Sequence, residues 1–250
     1  MMRFPGLDPA RSALYRRRGD WRDETIPGLF AAAAARAPEK TAVRDASGAA
    51  LSYAGLAERS ARVAGFLAAR GVGKGDIVTV CLPNRCETVV AFLAILRLGA
   101  VVNPVPVTYG RADLAHVLGK CDSRALIVPD RFRSTDFQAL LDGLEPGLLD
   151  GRAVLVVGGA PGAGRFGWDE ASAAQPISAD RETSADDPAA VLFTSGTESR
   201  AKGAVHTHNT ILFGERALGA ALGVSEADVA FMASPISHTT GFMHGFVMTL

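Results

Sequence analysis

The chain has 250 residues, 48% of them hydrophobic and 21% charged, which is the composition of a globular protein with room for one large domain or two small ones. Lysine and arginine number 26, as do aspartate and glutamate, so the formal charge is zero and no overall field attracts nucleic acid or an anionic membrane. The three cysteines lack CxxC spacing, which argues against a disulfide framework or a zinc knuckle.

The first elements are predicted from capping and turn residues. The N-terminus has arginines but no apolar segment behind them, so we predict no signal peptide and expect a cytoplasmic protein. Thr25 is predicted to cap a helix with Pro27 in its first turn. A hairpin follows, with Asp45 and Gly48 in its turn, and after Ser52 the apolar period becomes that of a helix.

The next segment alternates strands with amphipathic helices. The strands are almost entirely apolar and are predicted at 77–82, 100–105, 125–128 and 153–157. Helices are predicted between them, at 87–98, around 114–118 and around 137–144. Because strands that are apolar throughout need cover on both faces, the alternation predicts a parallel sheet between two layers of helices.

The remaining chain is less regular. Residues 158–188 are rich in Gly, Ala, Ser, Asp and Pro, and we interpret them as a linker or long surface loop. A strand is predicted at 189–193, a polar loop at 194–203 and a second strand at 203–205. A helix capped by Asn209 is predicted at 209–222, a third strand at 229–232 and the start of a helix from Gly241 onward.

Residues 229–250 contain no Asp, Glu, Lys or Arg and are long enough to span a bilayer. Their interior is polar, however, with Pro235, Ser237, His238 and Thr239 close together. Those groups would lack hydrogen-bond partners in hydrocarbon, so we predict a buried strand, loop and helix start rather than a membrane span.

The polar loop from Thr194 to Gly203 is the segment best suited to chemistry. Its glycines bring backbone N–H groups close to phosphate oxygens, its hydroxyl groups add donors, and Lys202 adds a point charge that can follow departing pyrophosphate. A P-loop NTPase is excluded by spacing, because five residues separate Gly196 from Lys202 and Gly203 stands where Ser or Thr would hold magnesium. On composition alone, an ordinary solvated loop is the alternative.

The segment that starts at Phe193 resembles the signature loop of the adenylate-forming superfamily, aromatic-T-S-G-T-T-G-x-P-K-G. That superfamily includes acyl-CoA synthetases, peptide-synthetase adenylation domains and luciferases. Glu198, Ser199 and Ala201 depart from the pattern, and we expect Glu198 to pair with Arg200. Four further segments resemble motifs of the family and occur in its order, at 51–56, 96–104, 206–209 and 235–241.

The resemblance implies a two-step reaction with ATP, Mg²⁺ and coenzyme A. A carboxylate attacks the α-phosphate of ATP and releases pyrophosphate, and the acyl adenylate then acylates a thiol such as that of coenzyme A. The implied catalytic residues are Lys202 and Thr194. The implied ATP-binding residues are Thr194, Ser195, Gly196, Thr197, Glu198, Ser199, Lys202 and Gly203. The implied lining of the acyl pocket is His238, Thr239 and Gly241.

The implied fold is α/β, with two layered sheet-and-helix subdomains of the adenylate-forming N-terminal domain. The first subdomain is expected at about 54–185. Residues 1–53 and 186–250 are expected to supply the phosphate loop and an incomplete second subdomain, without the C-terminal domain. The sequence stops inside an apolar run without a capping residue, so we expect a longer protein. We also expect the magnesium ligand to lie downstream and this chain alone to be inactive.

The expected function of the longer protein is that of an acyl-CoA ligase in fatty acid metabolism, acting on a short- or medium-chain, alicyclic or aromatic acid. Two alternatives stay open: an aryl acid adenylating enzyme that loads a carrier protein, and a non-catalytic nucleotide-binding remnant. A homodimer is also left open. We assign no metal-ligating residue, because no carboxylate or cysteine is spaced to complete a site with the histidines. His208 is expected to order the turn before a helix, and His238 to lie at the pocket mouth or in the core.

Overall fold

The computed structural model describes residues 4, 6–193 and 202–250. Its helices are α1 Pro9–Arg17, α2 Ile26–Arg36, α3 Tyr53–Ala69, α4 Cys86–Arg97, α5 Arg111–Cys121, α6 Phe137–Asp142, α7 Trp168–Ala173 and α8 His208–Leu222, followed by a π-helix, Gly241–Val247. Its strands are β1 Thr41–Arg44, β2 Ala50–Ser52, β3 Ile77–Val80, β4 Val101–Pro104, β5 Ala125–Pro129, β6 Arg131–Phe132, β7 Thr135–Asp136, β8 Ala153–Val157, β9 Phe166–Gly167, β10 Pro188–Phe193 and β11 Gly203–Thr207.

Within the described residues, seven strands form one sheet in the order β11-β10-β4-β3-β5-β8-β9. All of its pairings are parallel except that of β11 with β10. Strand β3 has cover on both faces, because Val78 and Val80 pack with α3 and α4 while Ile77 packs with Leu114 of α5 and Phe137 of α6. The predicted parallel sheet between two helical layers is therefore confirmed.

The first helices begin where their capping residues predict. The Thr25 hydroxyl accepts a hydrogen bond from the Gly28 N–H at 3.2 Å, and the Ser52 hydroxyl accepts one from the Gly55 N–H at 3.1 Å. Each bond satisfies a backbone donor that has no partner inside the helix. Strands β1 and β2 form the predicted hairpin, and Gly48 takes the positive φ of 88° that its turn requires.

Helix α4 lies in the middle of the core and is almost completely buried. The Phe92 ring on this helix lies 5.2 Å from the Phe242 ring and 5.5 Å from the Phe246 ring, measured between centroids. Both pairs are edge-to-face, a geometry that aromatic rings favour. The three rings dock the C-terminal π-helix against α4, and the helix start predicted at Gly241 is confirmed.

The prediction of a loop over residues 158–188 was wrong in part. Phe166 and Gly167 form β9, which extends the sheet beside β8, and α7 follows at once and packs against α3. These elements are too short to show a period in the sequence. They form because Ala171 and the partly buried Trp168 join the core.

Two further local predictions were wrong. The cap of α8 is Thr207, whose hydroxyl accepts a hydrogen bond from the Thr210 N–H at 3.2 Å, and Asn209 lies inside the helix. Residues 229–232 are not a strand: no neighbouring strand pairs with them in the described part of the chain, and Phe231 is 91% exposed. An apolar strand forms when a partner saturates its backbone and covers its side chains, and neither condition is met here.

The hairpin of β10 and β11 belongs to the same sheet as β3, β4, β5 and β8. Strands from both predicted subdomains therefore lie side by side, and the boundary at about 185 stays a prediction. Among the described helices, none is both long enough and apolar enough to cross a membrane.

Candidate functional site

The predicted phosphate loop connects two paired strands. Residues 194–201, which include Thr194, Ser195, Gly196, Thr197, Glu198 and Ser199, lie outside the described residues. At the two ends of this segment, Phe193 of β10 pairs with Gly203 of β11, and Val191 pairs with Val205. The antiparallel register therefore fixes the two ends of the loop next to each other.

Gly203 is required by packing at the start of β11. A Cβ atom there would lie 2.8 Å from Cγ1 of Val191, closer than van der Waals contact allows. Lys202, immediately before it, is exposed and has an interaction within the chain. The geometry places the Lys202 backbone at the loop end, where its side chain has access to solvent.

The loop opens at the carboxyl edge of the parallel strands. Strand β10 is parallel to β4, and β4 is parallel to β3, so Phe193 lies at the same edge as the ends of those strands, Pro104 and Val80. In open α/β sheets, ligands bind outside this edge, where loops rather than side chains of the sheet supply the contacts.

A second segment of the predicted site is held at the same edge by Asn84, which follows β3. Its Nδ2 donates hydrogen bonds to the carbonyl oxygens of Met232 at 3.2 Å and Ser234 at 2.9 Å. Its Oδ1 accepts a hydrogen bond from the Ile236 N–H at 2.8 Å. Asn84 thereby fixes the backbone that leads into the predicted acyl-pocket segment.

The residues predicted to line the acyl pocket lie at the start of the π-helix. The His238 N–H donates to the Pro235 carbonyl at 2.9 Å, and the His238 carbonyl accepts from the Phe242 N–H at 2.8 Å. His238 and Thr239 are exposed, whereas Gly241 is buried. A Cβ on Gly241 would lie 2.2 Å from the Pro235 carbonyl oxygen, so only glycine fits this turn.

His208 has a structural partner. It is buried at the start of α8, and its Nδ1 accepts a hydrogen bond from the Ile26 N–H at 3.2 Å. Burial lowers the pKa of His208 to about 4, and burial also lowers the pKa of His206. His208 orders the chain before α8, as expected, and it does so by satisfying a donor of α2.

Glu215 and His244 form a pair that sequence reasoning missed. Glu215 of α8 is buried, and its Oε2 lies 2.8 Å from Nδ1 of His244 on the π-helix. In the described part of the chain, no three His, Cys, Asp or Glu side chains are grouped to hold a metal ion. The two residues are 29 positions apart, so no local spacing signals the pair.

Asn84 was missed as well, because a single Asn in a loop carries no periodic or motif signal. Its partners lie 148 to 152 positions away along the chain. The Pro-Asn pair after a buried strand indicates a turn, and the tertiary contact appears only in the folded chain.

Residues 30–250 match the family described as AMP-binding enzyme. The chain belongs to this AMP-binding family. It is 35% identical over 237 residues to the medium-chain fatty-acid–CoA ligase of Escherichia coli strain K12, a match that covers 94% of this chain and 42% of that protein. It is 32% identical to the salicyl-AMP ligase / salicyl-S-ArCP synthetase of Mycobacterium tuberculosis, with 91% of this chain and 41% of that protein covered.

Solved structures of AMP-binding relatives show the same fold. The apo structure of MbtA from Mycobacterium smegmatis matches with a TM-score of 0.86 and 27% sequence identity, over 98% of this chain and 45% of that one. The chain thus spans less than half the length of each of these three relatives. The α/β fold and the superfamily expected from the sequence are confirmed.

Proposed function

We propose that this chain is the N-terminal portion of an enzyme that activates a carboxylic acid with ATP and transfers the acyl group to the thiol of coenzyme A. One observation carries the proposal: the β10–β11 hairpin and the segment held by Asn84 both lie at the carboxyl edge of one sheet. Membership of the AMP-binding family and relatives named as CoA and AMP ligases support it.

The first step is an in-line displacement at the α-phosphorus of ATP. A carboxylate oxygen forms the new bond to phosphorus, and the bond from the α-phosphorus to the bridging oxygen breaks, so that pyrophosphate leaves with the bonding electrons. In the second step the thiol sulfur attacks the acyl carbon, AMP leaves, and the thiol proton passes to solvent. Positioning and charge neutralisation supply most of the catalysis in such phosphoryl chemistry.

In this proposal Lys202 and Thr194 act on the transferring phosphate. Lys202 supplies positive charge to the pyrophosphate as it leaves, and the Thr194 hydroxyl donates to a phosphate oxygen. Ser195, Gly196, Thr197, Glu198, Ser199 and Gly203 complete the proposed ATP-binding loop. Gly203 contributes through its backbone, because its packing against Val191 leaves no room for a side chain.

The acyl group is proposed to enter beside the start of the π-helix. The exposed His238 and Thr239 are available to contact it, and Gly241 keeps the turn that presents them. Magnesium is proposed to accompany ATP as its counterion, with its protein ligand expected downstream of this chain. No step of the reaction is assigned to a metal ligand of this chain.

Carboxylate-dependent exchange of labelled pyrophosphate into ATP, measured on the complete protein, tests the proposal. We expect Lys202→Ala to slow exchange by about 10-fold or more, because the variant loses the positive charge that stabilises the leaving pyrophosphate. Lys120→Ala, at an exposed position on α5, is the matched control and should leave the rate unchanged. Equal rates for the two variants, or no exchange by the wild type with medium-chain, alicyclic and aromatic acids, would overturn the proposal and favour a non-catalytic nucleotide-binding protein. The 250-residue chain alone is proposed to be inactive.

An aryl acid adenylating enzyme that loads a carrier protein is the second candidate. The match to the salicyl-AMP ligase / salicyl-S-ArCP synthetase favours it. The acceptor separates the two candidates: a CoA ligase releases AMP with coenzyme A, whereas a carrier-loading enzyme releases AMP only with a phosphopantetheinylated carrier protein.

A further inference from the structure

The hairpin that carries the phosphate loop has few backbone links to the rest of the sheet. Its ladder with β4 contains the single pair Ala190–Val102, whereas the β5–β8 ladder contains five pairs. Strand β11 lies at the sheet edge and pairs only with β10 among the described strands. Apolar packing of β10 and of Val205 in β11 adds to the attachment.

The base of the hairpin is closed by four side chains, Arg16, Asp23, Asp186 and Asn209, which we call the clasp. Asn209 lies two residues after β11, and its Nδ2 donates to Oδ1 of Asp186, two residues before β10, at 2.9 Å. The same amide nitrogen donates to Oδ1 of Asp23 at 2.9 Å. One buried amide therefore links the two ends of the hairpin to each other and to residues 9–26, which we call the N-terminal arm.

Arg16 completes the clasp from α1. Its Nη2 lies 2.6 Å from Oδ2 of Asp186, and its Nε lies 2.9 Å from Oδ2 of Asp23. The Asp23 N–H in turn donates to Oδ1 of Asn209 at 3.2 Å, and Asp23 itself has a positive φ of 56°. Two carboxylates thus share one guanidinium and one amide, whose donors hold the two aspartates side by side.

We propose that the clasp is a positioning device for the phosphate loop: it fixes the base of the β10–β11 hairpin and thereby the location of Lys202 relative to the sheet edge. This inference rests on the proposed function for its effect on ATP, but the effect on the hairpin is independent of it. Asn209 is 1% exposed, so its amide has no solvent to replace a lost partner.

A neighbouring ion pair provides a matched control. Arg216 of α8 lies 2.8 Å from Glu24 of the same N-terminal arm, yet it touches neither end of the hairpin. Glu24→Gln therefore weakens the attachment of the arm to α8 while leaving the clasp intact. If Asn209 contributed only to overall stability, its replacement would have the same effects as Glu24→Gln. If Asn209 positions the hairpin, the two variants should differ.

Amide hydrogen exchange and steady-state kinetics of the complete protein test the proposal. We expect Asn209→Ala to accelerate exchange of the β11 amides about 10-fold, with the β5 amides unchanged, because only the hairpin loosens. We expect the KM for ATP to rise about 10-fold and the KM for the carboxylic acid to stay the same, since misplacement affects the loop alone. Glu24→Gln should change neither quantity.

The proposal is overturned if Asn209→Ala and Glu24→Gln behave alike, or if β5 and β11 amides accelerate together. If Asn209→Ala does not fold, Asp23→Asn is used in its place, because this variant keeps the side-chain shape and removes one charge from the clasp. The same changes in hydrogen exchange and KM are expected, and the same outcomes would overturn the proposal. Absence of pyrophosphate exchange in the wild type would overturn the proposed function, while hydrogen exchange of β11 would still decide whether the clasp holds the hairpin.

Discussion

The backbone N–H of Ile26 donates a hydrogen bond to Nδ1 of His208 at 3.2 Å, across 182 positions of sequence. Ile26 is the first residue of α2, so its N–H has no acceptor inside the helix. The imidazole accepts this bond only when Nδ1 carries no proton. The contact therefore ties the N-terminal arm to the start of α8 and requires a neutral His208.

Acid is expected to weaken the fold through His208. Burial lowers its pKa from 6.5 to about 4, so the unfolded chain binds a proton that the folded chain excludes. The part of the free energy of unfolding that depends on a neutral His208 is fully present above about pH 6.5 and is lost as the pH falls toward about 4. His208→Asn keeps an acceptor for Ile26 and removes the titration. Urea unfolding between these pH values should show a steeper loss for the wild type, by up to about 1.4 kcal/mol per pH unit.

His206 also has a pKa lowered by burial, but it is present in both proteins and cancels in the comparison. The clasp carboxylate Asp23 has a pKa lowered chiefly by its hydrogen bond to Arg16, so its contribution is lost only at lower pH, below the ordinary aspartate value. Parallel stability curves for wild type and His208→Asn would contradict the assignment of the acid effect to His208.

The Glu215–His244 pair is expected to show coupling. Glu215 is 5% exposed, so removing its partner His244 leaves a buried carboxylate with an unmet hydrogen bond. His244→Ala should lower the free energy of unfolding by about 1–2 kcal/mol, a figure reduced for the partly exposed imidazole. Glu215→Gln in that background should recover part of the loss. A double-mutant cycle with a coupling energy of zero would show that the pair contributes nothing.

The exposed Phe231 is expected to be neutral for folding. It is 91% exposed, so Phe231→Ala should change the free energy of unfolding of this chain by no more than about 0.5 kcal/mol. Phe92→Ala is the comparison: its buried ring contacts Phe242 and Phe246, and its removal should cost about 3–5 kcal/mol. A loss of 2 kcal/mol or more for Phe231→Ala, on the scale of a buried side chain, would mean that this ring is covered in solution.

The sequence predicts the elements whose signals are local. Strands β5 and β8 are continuous apolar runs, and α2 and α3 carry their own capping residues, Thr25 and Ser52. Helix α7 escaped prediction because six residues are too few for a period, and its stability comes from contact with α3. Residues 229–232 show the opposite case: their composition predicts a strand, but a strand also needs a neighbour.

The candidate site also contains residues with a local sequence signal and residues without one. The proposed phosphate loop gives a local signal, because a loop that binds phosphate through consecutive backbone groups needs a pattern of neighbouring residues such as that at 194–203. The residues that hold its surroundings in place, Asn84, Asn209 and Glu215, act on partners far away in sequence. Single polar residues of this kind leave no local pattern, so only the folded chain identifies them.

Gly65 of α3 tests whether residues 174–177 are docked on the helix. A Cβ at this position would lie 1.9 Å from the Gln175 carbonyl oxygen, and the Ile177 N–H donates to the Ala61 carbonyl at 3.0 Å nearby. In a free helix, Gly→Ala gains about 1 kcal/mol of helix propensity. At Gly65 the clash of the added Cβ with the Gln175 carbonyl oxygen outweighs this gain, so Gly65→Ala should destabilise the protein by about 1–3 kcal/mol.

Gly214→Ala is the matched control, because Gly214 is an exposed helical glycine of α8 with no atom within 4 Å of the added Cβ. This variant should be neutral or stabilised in urea unfolding, by about 1 kcal/mol at most. In a Trp21→Phe background, fluorescence reports on Trp168 alone, at the start of α7. Its emission should shift to longer wavelength in Gly65→Ala and stay unchanged in Gly214→Ala. Matching stabilities and spectra for the two variants would mean that residues 174–177 do not lie against α3 in solution.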